Sequence, residues 1–369
     1  MYDSKANEVD KPWRCQRRNC LIQAVALGVS WHAVLAGQEW SNTFGARIQA
    51  LDGPATGPAS ADNLMTNEDS IASVVDQIAR EVPPRQVYLG VGPDQNYTLM
   101  AHARPESCYV IDFRKKNQLL HLFHKALVEI STSRIQYLEN FWAREISEEI
   151  RKKGQTMDFI ESFKNQSVDP QKLDLIKQQV KSVCNGWNLL KKSELDEIST
   201  LQTRLAGQGP DARFLALKMY PTIGSLIMMK SRSGEPAHWL AQENYYSVLR
   251  IMQLENRILP INGDWSDEKG FARIVKRIEQ DRQKVGLIYI SDVEFFLIRQ
   301  GLFGKYVKNL MKLPLHADAR IIRTSTKEIG HPERAIGLSS TTIVRPLRKF
   351  LEQASQGMIK RWEDLFEIT

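Results

Sequence analysis

Cysteine is scarce in this chain of 369 residues: Cys15, Cys20, Cys108 and Cys184 are the whole set. They form no CxxC pair and no Cys/His grouping with zinc-site spacing, so neither a disulfide framework nor a structural zinc centre organises the fold. No internal repeat is visible, which excludes a solenoid. The GxSxG elbow, the HExxH helix and the GxxxxGK phosphate loop are all missing, and with them the signatures of an α/β-hydrolase, a zincin and a P-loop NTPase. Long blocks of one charge are absent too. Fifty Lys and Arg against 43 Asp and Glu give a net charge of +7, but the excess is spread thinly. Only short runs such as Arg151–Lys153 and Lys191–Lys192 interrupt the mixture. The charge therefore favours anionic partners in general and does not draw the stripe of a nucleic-acid binder. What is present, 42% hydrophobic and 25% charged residues, is the composition of a globular protein of one or two domains.

The first residues read as an address or as a helix. A polar stretch with Arg17 and Arg18 leads into an apolar run from Leu21 to Gly37, a pattern that resembles a twin-arginine export signal over residues 1–37. The alternative is a buried N-terminal helix of a cytoplasmic protein, since Leu21, Ile22, Val25, Val29 and Ala33 share one helical face. Residues 38–62 read as a linker, with Leu51 to Asp62 rich in Pro, Gly and Ala.

From Arg85 the pattern alternates between strand and helix. RQVYL, ending at Leu89, is an apolar strand that runs into Gly90-Val91-Gly92-Pro93-Asp94, and a helix is expected from about Asn96 to His102. A strand, a glycine turn and a helix make a cradle for a nucleotide: the first glycine permits the sharp turn and the second lets a ligand approach the backbone. The helix start offers free amide donors. A second strand, Cys108 to Ile111, ends in Asp112, about 20 residues past the turn, where an acid holds ribose hydroxyls in a Rossmann-type site. Ile258 to Ile261 leads into Gly263-Asp264-Trp265, Val285 to Ile290 leads into Ser291-Asp292-Val293-Glu294, and Ala319 to Arg323 is a fifth strand candidate. In an open parallel sheet such strand ends face one crevice. The expected fold is thus a Rossmann-like, mostly parallel α/β sheet, with core parts at 63–114 and 257–330.

The residues between the second and third strands are too many for one crossover. Residues 115–256 read as a helical insertion, with apolar spacings of three and four in Leu119–Ile130, Ser133–Lys152, Gln171–Leu190 and Trp239–Asn256. The less regular Met219–Ser233 would suit a cap over the cleft. The last segment, 331–369, is expected to be mainly helical. His121 and His124 lie three apart on a helix without nearby Cys or acids, which makes them ordinary helix residues rather than metal ligands.

The strings YLGVGPDQNYT, YVIDFRKKNQLLHLFHKAL, INGDW and YISDVEFFL resemble class I S-adenosylmethionine-dependent methyltransferases, and more closely an uncharacterised bacterial family of that fold. The likeness covers Arg85 to Leu127 and Arg257 to Ser325, and more weakly Trp239 to Arg250. It implies Gly90 and Gly92 against the methionine portion of the cofactor, Asp112 on the ribose, Asp264 with Trp265 beside the adenine, and Ser291 near the sulfonium. Asp292 and Glu294 would face the acceptor as general acid or base. The pattern departs at two places, with Tyr88 where such enzymes carry an acid and Asp94 where they carry a small residue. A plainer structural role stays open for each position: a tight turn at Gly90 and Gly92, and a helix cap at Asp112, Asp264 or Asp292. NAD fits the glycines less well, because a third glycine is missing and Asp94 would repel a pyrophosphate. Two functions follow: methyl transfer to an unknown acceptor or small molecule, or a non-catalytic binding or interaction protein on the same scaffold, exported where the N-terminal residues act as a signal.

Overall fold

The computed structural model describes residues 44–53, 63–326 and 331–367. Six strands form one sheet: β1 (Val87–Gly90), β2 (Ser107–Asp112), β3 (Ile258–Asn262), β4 (Val285–Ser291), β5 (Leu315–Ser325) and β6 (Thr341–Pro346). Their spatial order is β3-β2-β1-β4-β5-β6. The first five are parallel, and β6 pairs antiparallel with β5. This is the doubly wound Rossmann-like order with its last strand reversed, so the chain is an α/β protein with a mostly parallel sheet.

Burial explains why these segments are strands. β1, β2 and β3 are buried along their whole length, and β4 is buried up to Ser291. Strands covered by helices on both faces lose the alternation of polar and apolar residues and become continuous apolar runs such as Val285–Ile290. Pro260 sits within β3, which it can do because β3 is an edge strand with a backbone side that need not donate.

The C-terminal segment differs from expectation. Its Thr-Thr-Ile-Val run forms β6, with Thr342 opposite Thr324 and Val344 opposite Ile322, before the helix Leu347–Ser355. β-branched residues favour a pleated surface, and the exposed edge of β5 supplied the partner. Part of the expected linker is also structured. Residues 44–51 are helical, with Phe44, Ile48 and Leu51 buried and Phe44 edge-on to Trp187 at 5.4 Å. The remaining linker residues 38–43 and 54–62 and the suggested signal at 1–37 lie outside the described residues. Among the described residues no helix is long and apolar enough to cross a membrane.

Between β2 and β3 the chain forms the helices Lys115–Glu129, Arg134–Trp142, Glu148–Lys153, Thr156–Lys164, Pro170–Gly186, Lys192–Gln208 and Glu243–Leu254, among shorter pieces. The first packs against β3 and serves as the crossover from β2. The helix expected over 133–152 is broken at Ala143, whose φ of +49° closes Arg134–Trp142 with a left-handed residue.

Candidate functional site at the carboxyl ends of the strands

The turn after β1 is wired by one side chain. Asn96, in the first turn of the helix Gln95–Ala103, donates through Nδ2 to the carbonyls of Val91, Gly92 and Pro93. Its Oδ1 accepts from the Tyr88 hydroxyl at 2.7 Å. Gly90 is required here, since a Cβ would lie 2.0 Å from Asn96 Oδ1. Gly92 has φ +80°, open to glycine at little cost. Its carbonyl accepts from His121 Nε2 at 2.9 Å, and His121 Nδ1 accepts from Tyr97 at 2.7 Å. Burial pushes the His121 ring down to about 4, so it is neutral and supports the turn. His124 bonds the Tyr137 hydroxyl at 2.6 Å, and among the described residues no cluster of His, Cys, Asp and Glu suits a metal ion.

A cleft of about 400 Å³ opens above these strand ends. Of the residues singled out in the sequence, Gly92, Asp112, Asp264, Trp265, Ser291 and Asp292 line it; Gly90 and Glu294 do not. Asp112, at the tip of β2, is 3% exposed. Its Oδ1 accepts from the Arg114 amide at 2.8 Å and its Oδ2 from Asn117 at 2.7 Å. It thus supports the start of the helix Lys115–Glu129 while keeping lone pairs for a ligand. Burial raises its carboxyl above the usual range, with Arg114 opposing.

Beyond β3, Trp265 donates from Nε1 to the Ile111 carbonyl at 3.1 Å, which fixes the indole across the end of β2. Asp264 is not a helix cap: it accepts from the amide and hydroxyl of Ser266, both at 2.7 Å. The following helix, Glu268–Gln280, is capped by Asp267. Asp292 likewise makes no capping bond to the helix Val293–Arg299. Its carboxyl is raised by burial and lowered by Arg114.

Glu294 is placed elsewhere than its spacing suggested. It is 1% exposed, paired with the buried guanidinium of Arg323 and bonded by the Tyr306 hydroxyl at 3.0 Å. It holds β5 to the helices beside β4 and has no face on the cleft. Asp94 is also displaced from the expected ligand path. It lines a small adjoining cavity of about 20 Å³ with Thr98 and His238, bordered like the cleft by Glu68 and Gln95, where burial raises it to about 6.

One acid of the cleft had no signal in the sequence. Glu68 reaches it from the extended segment before the sheet, where Leu64 and Met65 are buried. The next residue, Asp69, accepts from the amides of Ser339 at 2.7 Å and Ser340 at 2.9 Å. The segment is therefore tied to the start of β6, and Glu68 is held against Tyr289 at 2.6 Å and against Ser291. Asn63, Thr66, Asn67, Gln95, Arg114 and Gln300 complete the polar lining, and Phe214 and Phe296 stand on it as well.

Fold and cleft define an α/β protein with a Rossmann-like sheet and a ligand-sized crevice at its strand ends. The chain belongs to the family described as a domain of unknown function, DUF7790, whose profile matches residues 64–365. None of the curated proteins matches the sequence. Among solved structures the chain is similar to the rRNA methyltransferase aviRa from Streptomyces viridochromogenes, at 10% identity and a TM-score of 0.29, over 80% of this chain and 91% of that one.

Proposed function

We propose that the cleft binds S-adenosylmethionine and that the protein transfers its methyl group to an acceptor bearing a nucleophile. The observation that carries this reading is the lining of the cleft. Glu68, Asp112, Asp264 and Asp292 contribute four carboxyls against the guanidinium of Arg114. An acidic crevice at the carboxyl ends of parallel strands suits a nucleoside with a positive sulfonium and disfavours the pyrophosphate of NAD.

In this reading the Gly92 turn admits the methionine portion to the backbone, Asp112 takes the ribose hydroxyls, and Asp264 with Trp265 borders the adenine. Ser291 and Asp292 face the sulfonium and the acceptor. The acceptor's nucleophile attacks the methyl carbon in line, and the electron pair of the breaking bond stays on sulfur. Positioning supplies most of the rate. Asp292, carrying no capping bond, takes the acceptor's proton where there is one.

Calorimetric titration with S-adenosylmethionine and its demethylated product, with NAD as the control, tests the proposal. Saturable binding of the first two and none of NAD is expected. Heat from NAD alone, or from none of the three, overturns it. Binding without methyl transfer to any acceptor would leave a ligand-binding protein on this scaffold.

A further inference from the structure

Two glutamates are buried beside the end of β4, and they are accommodated differently. Glu294 faces the guanidinium of Arg323. Glu68, 2% exposed, receives only hydroxyls: Tyr289, Ser291 and, from β5, Thr324. Among the described residues no lysine, arginine or histidine nitrogen bonds to it. Its charged neighbour is a second carboxylate, since the Ser291 hydroxyl that donates to Glu68 also lies 3.5 Å from Asp292 Oδ1.

Burying a carboxylate without a counter-charge is unfavourable, and two carboxylates on one hydroxyl cannot both ionise freely. The remaining surroundings do not supply the missing charge. Tyr88 on β1 and Tyr289 on β4 stay neutral because burial lifts both hydroxyls far above their usual range. Gln95 bonds Tyr289 at 3.0 Å. Across the small cavity, Asp94 is acidic and burial holds His238 at about 3, unprotonated. Arg114 acts on Asp292 from the far side of the cleft. Burial with help from Asp292 pushes Glu68 up to about 7.

We propose that Glu68 and Asp292, joined through the Ser291 hydroxyl, form a one-proton carboxyl pair that recognises the cationic group of the ligand. Without a cation the pair holds one proton. When a sulfonium or ammonium enters, that proton leaves to solvent and both carboxylates face the positive charge. No bond in the ligand changes in this step. The choice of probe rests on the S-adenosylmethionine reading above.

The test is calorimetry on the whole chain in buffers of different ionisation enthalpy, which counts the protons released on binding. Three probes separate the charges: S-adenosylmethionine carries sulfonium and ammonium, its demethylated product only ammonium, and 5′-methylthioadenosine neither. The expected release with S-adenosylmethionine is about half a proton at pH 7 and about 0.9 at pH 6, with none from methylthioadenosine. The demethylated product tells which cation is read. Glu68→Gln should abolish the release. Equal release from methylthioadenosine, or unchanged release in Glu68→Gln, overturns the pair. If none of the probes binds, the nucleoside reading falls and the pair is judged without ligand. Thermal midpoints of wild type and Glu68→Gln that diverge with pH between 5 and 8 keep it, and parallel curves overturn it.

Discussion

The hydroxyl of Ser291 donates to the carboxylate of Glu68 across 223 positions of sequence. That bond joins the end of β4 to a segment that precedes the sheet, and it makes a residue outside every strand and helix part of the cleft.

The first prediction concerns pH. The carboxyl of Glu68 moves from an ordinary 4.5 up to about 7 in the folded protein, mainly through burial. Between those values the native state holds a proton that the unfolded chain has released, so the stability that Glu68 contributes is greatest at low pH and falls as pH rises through the interval. The loss amounts to about 3 kcal/mol and levels off above pH 7. Urea denaturation at pH 5 and 8 should show the wild type losing about 3 kcal/mol relative to Glu68→Gln over that interval, because the buried neutral His121 and His238, which act in the opposite sense, are common to both proteins. Parallel stability curves for the two would assign the slope to other groups.

Asp112→Ala is expected to weaken binding of S-adenosylmethionine by about 1.5–3 kcal/mol, through loss of charge-assisted bonds to the ribose. Asp112 also supports the Arg114 amide and Asn117, so stability must be measured beside affinity. An unchanged dissociation constant in a folded variant would restrict Asp112 to its role at the helix start.

Glu294→Gln tests the reassignment of that residue. It leaves the Arg323 guanidinium, 1% exposed, without its counter-charge, and breaking a buried pair in this way costs about 3–5 kcal/mol. Ligand affinity at a temperature where the variant is folded should equal that of the wild type. A selective loss of binding with full stability would return Glu294 to the cleft.

Two glycines give opposite expectations. In Gly90→Ala the new methyl meets Asn96 Oδ1 at 2.0 Å and Tyr88 Cε1 at 2.7 Å, so the side chain that ties three turn carbonyls must move. Overpacking of this kind destabilises by roughly 1–3 kcal/mol, and ligand binding should fall with it. Gly207, in the helix Lys192–Gln208, has nothing within 4 Å of such a Cβ. Gly207→Ala should stabilise by up to about 1 kcal/mol. Equilibrium denaturation of both variants checks the pair.

Much of the core was legible because its signals are local. An apolar run between breakers is a buried strand wherever it falls, and the strands at 87–90, 107–112, 258–262 and 285–291 were visible for that reason. The polar residues at their ends could be brought together on the rule that parallel strands share one carboxyl edge. β6 was less visible: four β-branched residues in a short run make a strand only when an open edge such as that of β5 is beside them.

Side-chain direction was not legible. Asp292 and Glu294 are two residues apart and chemically alike, yet the helix that begins at Val293 turns one to the cleft and the other to Arg323. Arg323 lies on β5, so its pairing with Glu294 depends on strand order and register.

By itself, then, the sequence determined the five parallel strands, the glycine turn with its two required glycines, and the acid about 20 residues beyond it, because steric limits and hydrophobic burial act on neighbours in the chain. Tertiary structure alone decided which carboxylates share the cleft. It brought in Glu68 through bonds to β4 and to the residues before β6, and it removed Glu294 by supplying a cation. A buried charge is governed by what stands next to it in space, and for these two glutamates the deciding neighbours, Ser291 and Arg323, are distant in sequence.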